Sequence, residues 1–346
     1  MSCTTTLRAG IEGGGRFTTA TFHSTDPDHF NSLMPGGGAR LISSPRDSFQ
    51  ASLTRVSLGA VHLQRGATNI PALVRLAPSQ VHAGFAFITP TSAPSIRETM
   101  LVTHRDISVF GTEQPVSTRW LGANEWFTIA VPIVNFVAAG RALLGKDVTP
   151  GRLFSVVQPR AADLHRLRGL HEAITRLAVT EPEALAGGDG VHGLEQQLVE
   201  ALFAATSDSS PLMMDGCSGH AAILAQFQDF LEAHSDRALY MNEICAELGV
   251  AGRTLRFVCA KYLNVSPQQY LQSRRMHLAR HMLIEADARL TTVTQVATQF
   301  GFWELGRFAV NYRLMFGESP AATLRAPPER HCGISSVFPY PLAKSA

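Results

Sequence analysis

The sequence predicts an α+β protein: a run of short strands, a helical hairpin, then an all-α domain. Three observations predict it. Between Phe49 and Val131, short apolar runs alternate with Pro, Gly, Asn and Thr, which is the spacing of a small barrel or sandwich. From Val134 to Phe203, apolar residues recur at helical intervals. From Leu239 to Leu324, one two-helix pattern occurs twice. A chain of 346 residues accommodates two domains with ordinary cores. With 45% hydrophobic and 17% charged residues it has the composition of a globular protein and not of a disordered one.

Residues 1–45 are polar and rich in Gly and Pro and are expected to form a flexible arm. Neither Gly13-Gly14-Gly15 nor Gly36-Gly37-Gly38 is followed by the Lys-Ser/Thr of a phosphate-binding loop. Residues 46–206 are expected to form one domain. Its strands read as Phe49 to Leu53, Leu73 to Leu76, Phe85 to Ile88, Ile107 to Phe110 and Phe127 to Val131. Five aromatics of this region, Phe85, Phe87, Trp120, Trp126 and Phe127, are candidates for lining an effector pocket, although strand aromatics are usually core. His62, His82 and His104 fall in or beside strands, but no His-x-His occurs in the chain. No metal site and no cofactor are expected.

Val134, Val137 and Leu144 precede a helix stop at Gly145. Leu164, Leu167, Leu170, Ile174 and Leu177 make one apolar stripe, and Leu194, Leu198, Leu202 and Phe203 another. Together they describe a helical hairpin. Two burial partners fit equally: a second copy of the chain, giving a homodimer, or the chain's own strands. Residues 207–219 are Ser/Gly/Pro-rich and read as a linker, residues 220–326 as the all-α domain, and residues 327–346 as a disordered tail.

The all-α domain is the most informative stretch. Its first copy contains Ile244-Cys245-Ala246-Glu247-Leu248-Gly249-Val250 followed by Arg253-Thr254-Leu255. The second contains Val296-Ala297-Thr298-Gln299-Phe300-Gly301-Phe302 followed by Gly306-Arg307-Phe308. The glycines are 301 − 249 = 52 apart and the closing Ser266-Pro267 and Ser319-Pro320 pairs 319 − 266 = 53 apart. The copies therefore differ by one residue in the turn. Two helices joined by a tight glycine turn form the helix-turn-helix that reads DNA. Ser266 and Pro267 suit the start of a joining helix that runs to about Ile284. At ~1.5 Å per residue it is long enough to hold two reading helices roughly one DNA turn apart. Thr292 with Gln295 has the form of a capping box opening the second copy.

Charge agrees. From Arg253 to Arg325 there are 10 Lys/Arg and 4 acids, 10 − 4 = +6, whereas the whole chain carries 30 − 28 = +2. Excess Arg on one module is the footprint of phosphate binding. Arg253 and Arg256, three apart, share a helix face and are candidate base readers, as is Arg307 with Trp303 and Glu304 beside it. Lys261, Arg274, Arg275 and Arg313 are candidate phosphate contacts, with solvated charge as the plainer alternative.

The stretch GVAGRTLRFVCAKYLNVSPQQYLQSRRMHLARHML, followed by VTQVATQFGFWELGRFAVNYRLMFGESPAATL, resembles the AraC/XylS family of bacterial transcription regulators, over a quarter to a third of the chain. The resemblance implies buried roles for Leu255 and Phe308. It implies groove-facing roles for Arg253, Arg256 and Phe257 in the first copy, and for Leu305, Gly306, Arg307 and Val310 in the second. The chain departs from the family's pattern at Phe257 and Val310, where Arg is frequent, and at Cys259, where Phe is frequent. It also implies a cupin-like N-terminal barrel that senses a small-molecule effector, a homodimer on double-stranded promoter or operator DNA, and contact with RNA polymerase if the protein activates.

No secretory signal is visible at the N-terminus and no run of 18 apolar residues occurs, so a cytoplasmic, non-membrane protein is expected. Five scattered cysteines without a CxxC pair fit a reducing compartment. A non-enzyme is expected. Two alternatives remain: an alkyl-transfer repair enzyme fused to a DNA-binding module, which needs an activated thiol, and a regulator that has no small-molecule effector.

Overall fold

The computed structural model describes residues 4–10, 17–26, 30, 33, 42–43, 49–98, 100–185, 188–207, 212–213 and 219–326. The tail 327–346 and most of the linker 207–219 lie outside them. The strands, in chain order, are β1 (Thr4–Gly10), β2 (Phe17–Ser24), β3 (Ile42–Ser43), β4 (Ala51–Leu58), β5 (Val61–Thr68), β6 (Ala72–Leu76), β7 (His82–Ile88), β8 (Ser95–Arg97), β9 (Met100–Val102), β10 (Ile107–Phe110), β11 (Val116–Trp120) and β12 (Asn124–Pro132). Helix α1 (Ile133–Leu144), strand β13 (Ser155–Val157), helices α2 (Ala161–Thr180) and α3 (Gly188–Ser207) and strand β14 (Leu212–Met213) complete the first half.

These strands form two sheets, a larger one ordered β1-β2-β4-β5-β12-β7-β10-β13-β14 and a smaller one ordered β3-β6-β11-β8-β9. Among the described residues neither sheet closes on itself, so the expected barrel gives way to two open sheets face to face. The core between them contains Phe22, Leu53, Val74, Trp120 and Trp126. The two indoles stack at 4.6 Å. A Cβ at Gly66 would fall 2.2 Å from the Trp126 ring, so the strand beside that ring is held to glycine.

The arm expectation for residues 1–45 is corrected. Phe17–Ser24 pairs with β4 and is buried on both faces, with Phe17 in one core and Ala20 and Phe22 in the other. Glycine runs on either side, and threonines between the apolar residues, hid this strand.

The helical hairpin packs on the other face of the larger sheet. Leu164, Leu167 and Ile174 of α2 and Leu198, Leu202 and Phe203 of α3 share one core with Val56, Leu63, Phe87 and Phe127. The chain's own sheet thus accounts for both stripes. Helix α1 departs from the expected face: Val134 and Leu144 are exposed, whereas Phe136 and Gly140 are buried. It does stop at Gly145, which takes the left-handed conformation at φ 67°.

His171 sits at the centre of this layer, fully buried against Phe87 and Phe127, its Nε2–H donating to Thr128 O at 3.0 Å. Burial lowers its pKa to about 4. The unfolded chain takes up this proton near pH 6.5 and the folded chain only near 4, so the unfolded state binds more protons between those values. Stability therefore falls as pH drops through that window, by about 2–3 kcal/mol at pH 4.5 from this residue. The difference in unfolding free energy between pH 7 and 4.5 is expected to shrink by that amount in His171→Gln. An unchanged pH dependence in the variant would contradict the assignment.

The remaining helices are α4 (Gly219–Ala233), α5 (Met241–Glu247), α6 (Gly252–Leu263), α7 (Pro267–Glu285), α8 (Val293–Gln299), α9 (Leu305–Phe316) and α10 (Pro320–Arg325). They build two small cores. The first gathers Leu224, Phe227, Ile244, Leu255, Val258 and Cys259, and the second Val296, Phe300, Phe308, Tyr312 and Phe316. Helix α7 belongs to both, giving Tyr270 and Leu271 to the first and Met276, Ala279 and Leu283 to the second. At 19 residues it spans about 28 Å.

Contacts from the N-terminal half reach both cores. Leu73 of β6 packs on the first. Arg75 donates to Gln228 at 2.8 Å and pairs with Asp229, both on α4. At the second, Arg280 of α7 is 2% exposed and donates to Asp26 just after β2, with Nη1 to Oδ1 at 2.5 Å. Glu318 lies 3.4 Å from the same guanidinium, which also stands over the Phe316 ring.

Candidate nucleic-acid interface

The two copies repeat at the level of individual hydrogen bonds. In the first, Gly249 N–H donates to Ala246 O and Val250 N–H to Cys245 O. In the second, Gly301 N–H donates to Thr298 O and Phe302 N–H to Ala297 O. Both glycines hold positive φ, 62° and 76°. Gly301 is also short of space: a Cβ there would meet Ala238 Cβ at 3.0 Å. An apolar residue then fills each corner, Val250 or Phe302.

The start signals form as read. Ser266 accepts from Gln269 N–H while the Gln269 side chain accepts from Ser266 N–H, with Pro267 opening the helix. Thr292 and Gln295 form the same reciprocal pair. Ser319 caps α10 through Ala322 N–H.

The repeat aims α6 and α9 with one face buried and one free. On α6, Leu255 is 0% exposed, and Arg253, Arg256 and Phe257 point outward. The Phe257 ring lies 5.2 Å from that of His220 and Lys261 stands over it. On α9, Phe308 is buried and Leu305, Gly306, Arg307 and Val310 are exposed. Trp303 and Glu304 are exposed at the start of α9, with Glu304 3.7 Å from Arg307. The Trp303 ring is 71% exposed, on the same short stretch as the exposed Leu305 and Val310.

The phosphate candidates divide. Lys261 and Arg313 are exposed. Arg274 is corrected: it is 5% exposed and donates to Leu231 O. Arg275 is half-buried, donates to Leu239 O and stands over the Tyr240 ring. Both guanidiniums tie α7 to neighbouring backbone, and a periodicity reading of α7 could not tell that use from a solvent-facing one. Of the ten basic residues between 253 and 325, seven are exposed: Arg253, Arg256, Lys261, Arg289, Arg307, Arg313 and Arg325.

The effector-pocket aromatics are core. Phe85, Phe87, Trp120, Trp126 and Phe127 are each 5% exposed or less. Phe85 packs on Phe136, and Phe87 on Phe127. Of the strand histidines, His62 and His82 meet edge to face at 5.4 Å, and His62 exchanges a hydrogen bond with the Ser57 hydroxyl at 2.9 Å. Burial, with His82 beside it, lowers the His62 pKa to about 4. Among the described residues no three His, Cys, Asp or Glu side chains converge as a metal site, and no helix is long and apolar enough to cross a membrane.

Two tandem helix-turn-helix units on one shared helix define a DNA-binding domain. A family model described as "Helix-turn-helix domain" matches residues 244–326. The "Probable thc operon regulatory protein" of Rhodococcus erythropolis is 37% identical over 102 residues, 30% of this chain and 31% of that protein. The "XylDLEGF operon transcriptional activator" of Pseudomonas putida is 32% identical over 96 residues, 28% of this chain and 30% of that protein. The crystal structure of the AraC-like transcriptional activator CuxR aligns with 76% of this chain and 96% of its own, at 14% identity and a TM-score of 0.39. The C-terminal region thus holds a helix-turn-helix domain similar to regions of two operon regulators. The chain spans about a third of the length of the two curated relatives it matches.

Proposed function

We propose that the protein is a sequence-specific DNA-binding transcription regulator. The observation that carries this is the duplicated turn: the same hydrogen bonds aim two reading helices from one shared helix. Arg253, Arg256 and Arg307 read bases, with Phe257, Trp303, Glu304, Leu305, Gly306 and Val310 completing the groove-facing surface. Lys261 and Arg313 bind phosphates. The N-terminal half senses a small-molecule effector and joins two copies, and the protein acts in the cytoplasm as an activator that meets RNA polymerase. The two curated relatives, named as an operon regulatory protein and an operon transcriptional activator, support the regulator and the activator parts.

An alkyl-transfer enzyme has no support in the buried thiol of the first core. Cys259 is 0% exposed and burial pushes its pKa up to about 12, the opposite of an activated nucleophile.

Selection from random duplexes tests the proposal. Two enriched blocks about one helical turn apart are expected. On the selected duplex, Arg253→Ala, Arg256→Ala and Arg307→Ala should each cost roughly 1–3 kcal/mol and relax preference at one position. Lys261→Ala and Arg313→Ala should weaken all duplexes alike and lower the salt slope by about one. Equal losses on selected and random DNA for all three arginine variants would remove the base-reading role.

A further inference from the structure

The two copies agree at one outward position that the turn geometry does not demand. Phe257 stands two residues after the buried Leu255, and Val310 two residues after the buried Phe308. The spacing between copies is the same for both pairs, 308 − 255 = 53 and 310 − 257 = 53. Two residues turn a helix by roughly 200°, so each side chain points away from its core. Phe257 is 53% exposed and Val310 59%. A single exposed apolar side chain is ordinary. An apolar side chain at the same outward place on both reading helices indicates a shared use.

The surroundings indicate the partner. Phe257 shares its face with the exposed Arg253, four residues before it, and Arg256 is adjacent. Its ring is held: the His220 ring of α4 stands 5.2 Å away, and Lys261 Nζ lies 6.0 Å over it. Val310 shares its face with the exposed Arg307, three residues before it. At Gly306, one turn before Val310, an added Cβ would meet nothing within 4 Å, so the approach to that side chain is clear. Cations around an apolar side chain fit a polyanion better than the centre of a protein interface, where charge is depleted. Among the groups that base pairs present in the major groove, the apolar one is the 5-methyl of thymine.

We propose that Phe257 and Val310 each contact the 5-methyl group of a thymine, one in each block of the bound duplex. This rests on the base-reading role of α6 and α9 proposed above and gives it a chemical target.

The test uses the full chain and the duplex obtained by selection. Each thymine is replaced in turn by uracil, which keeps every hydrogen-bonding group and lacks only the methyl. One replacement in each block should weaken binding about fourfold, the size of one buried methyl. Phe257→Ser should bind the thymine duplex more weakly and lose the uracil effect in one block only. Val310→Ser should lose it in the other block only. With 5-iodouracil at each sensitive position in turn, iodine takes the place of the methyl. Irradiation should then join one of the two positions to Phe257, as read by mass spectrometry of the digested protein.

Absence of a uracil effect from either block would overturn the proposal. So would a uracil effect that both variants retain, which would assign the methyl to other side chains or to DNA shape. Unchanged affinity of Phe257→Ser for the selected duplex would overturn it too, and would give the ring to another protein. Should a variant fail to fold, a cross-link missing from Phe257 decides against it. A protein that selects a duplex indifferent to uracil keeps its base-reading arginines and loses the methyl contacts, whereas one that selects no duplex loses both.

Discussion

Asp26→Ala is expected to destabilise the protein by about 3–5 kcal/mol, the range for removing one partner of a buried ion pair. Arg280 is 2% exposed, and among the described residues its other carboxylate partner is Glu318 at 3.4 Å. The cost arises from a buried guanidinium deprived of the carboxylate that it grips with both Nη atoms. The double variant Asp26→Ala/Arg280→Met should therefore recover much of the loss, because it removes the stranded charge and keeps an apolar body against Phe316. Denaturant titration of the three variants checks this. A double variant no more stable than Asp26→Ala alone would show that the contact stabilises by packing and not by charge.

Phe308→Ala is expected to cost about 3–5 kcal/mol, the penalty for emptying a large buried aromatic site. Its ring is 2% exposed, 4.8 Å from Phe302 and 5.6 Å from Tyr312. The core it belongs to is small and built largely from rings, so neighbours have little freedom to close the gap. The second helix-turn-helix should open locally while the first stays folded, because the two cores share α7 but no other element. Hydrogen exchange should show faster exchange in α8 and α9 with α5 and α6 unchanged, and duplex selection should return a single block. Uniform loss of protection across both units would mean that they fold as one.

The C-terminal domain was legible in the sequence because its information is local. A glycine at positive φ, a Ser or Thr cap with Gln three residues on, and a proline at the first helical position each act within a few residues. Gly249, Gly301, Ser266 and Thr292 adopt the conformations their neighbours imply. The N-terminal half was less legible because its information is distant. Asp26 and Arg280 meet across 254 positions, and no local pattern marks either. The strand Phe17–Ser24 lacks a clean alternation and sits among glycine runs that suggest a loop. Arg274 shows the same limit within a helix: spacing places it on α7 but does not reveal that Leu231 O lies within reach.

The three tryptophans are divided in a way that makes the molecule its own optical instrument. Trp120 and Trp126 are stacked and nearly dry, so they emit at short wavelength and couple as a pair in near-ultraviolet dichroism. Trp303 is wet, so it emits further to the red. Light emitted at the two wavelengths reports on different parts of the protein: the blue edge on the core between the two sheets, the red edge on the surface beside Arg307. Loosening of the sheet core and an added duplex can thus be followed in one cuvette, without dye or label, by which colour changes first.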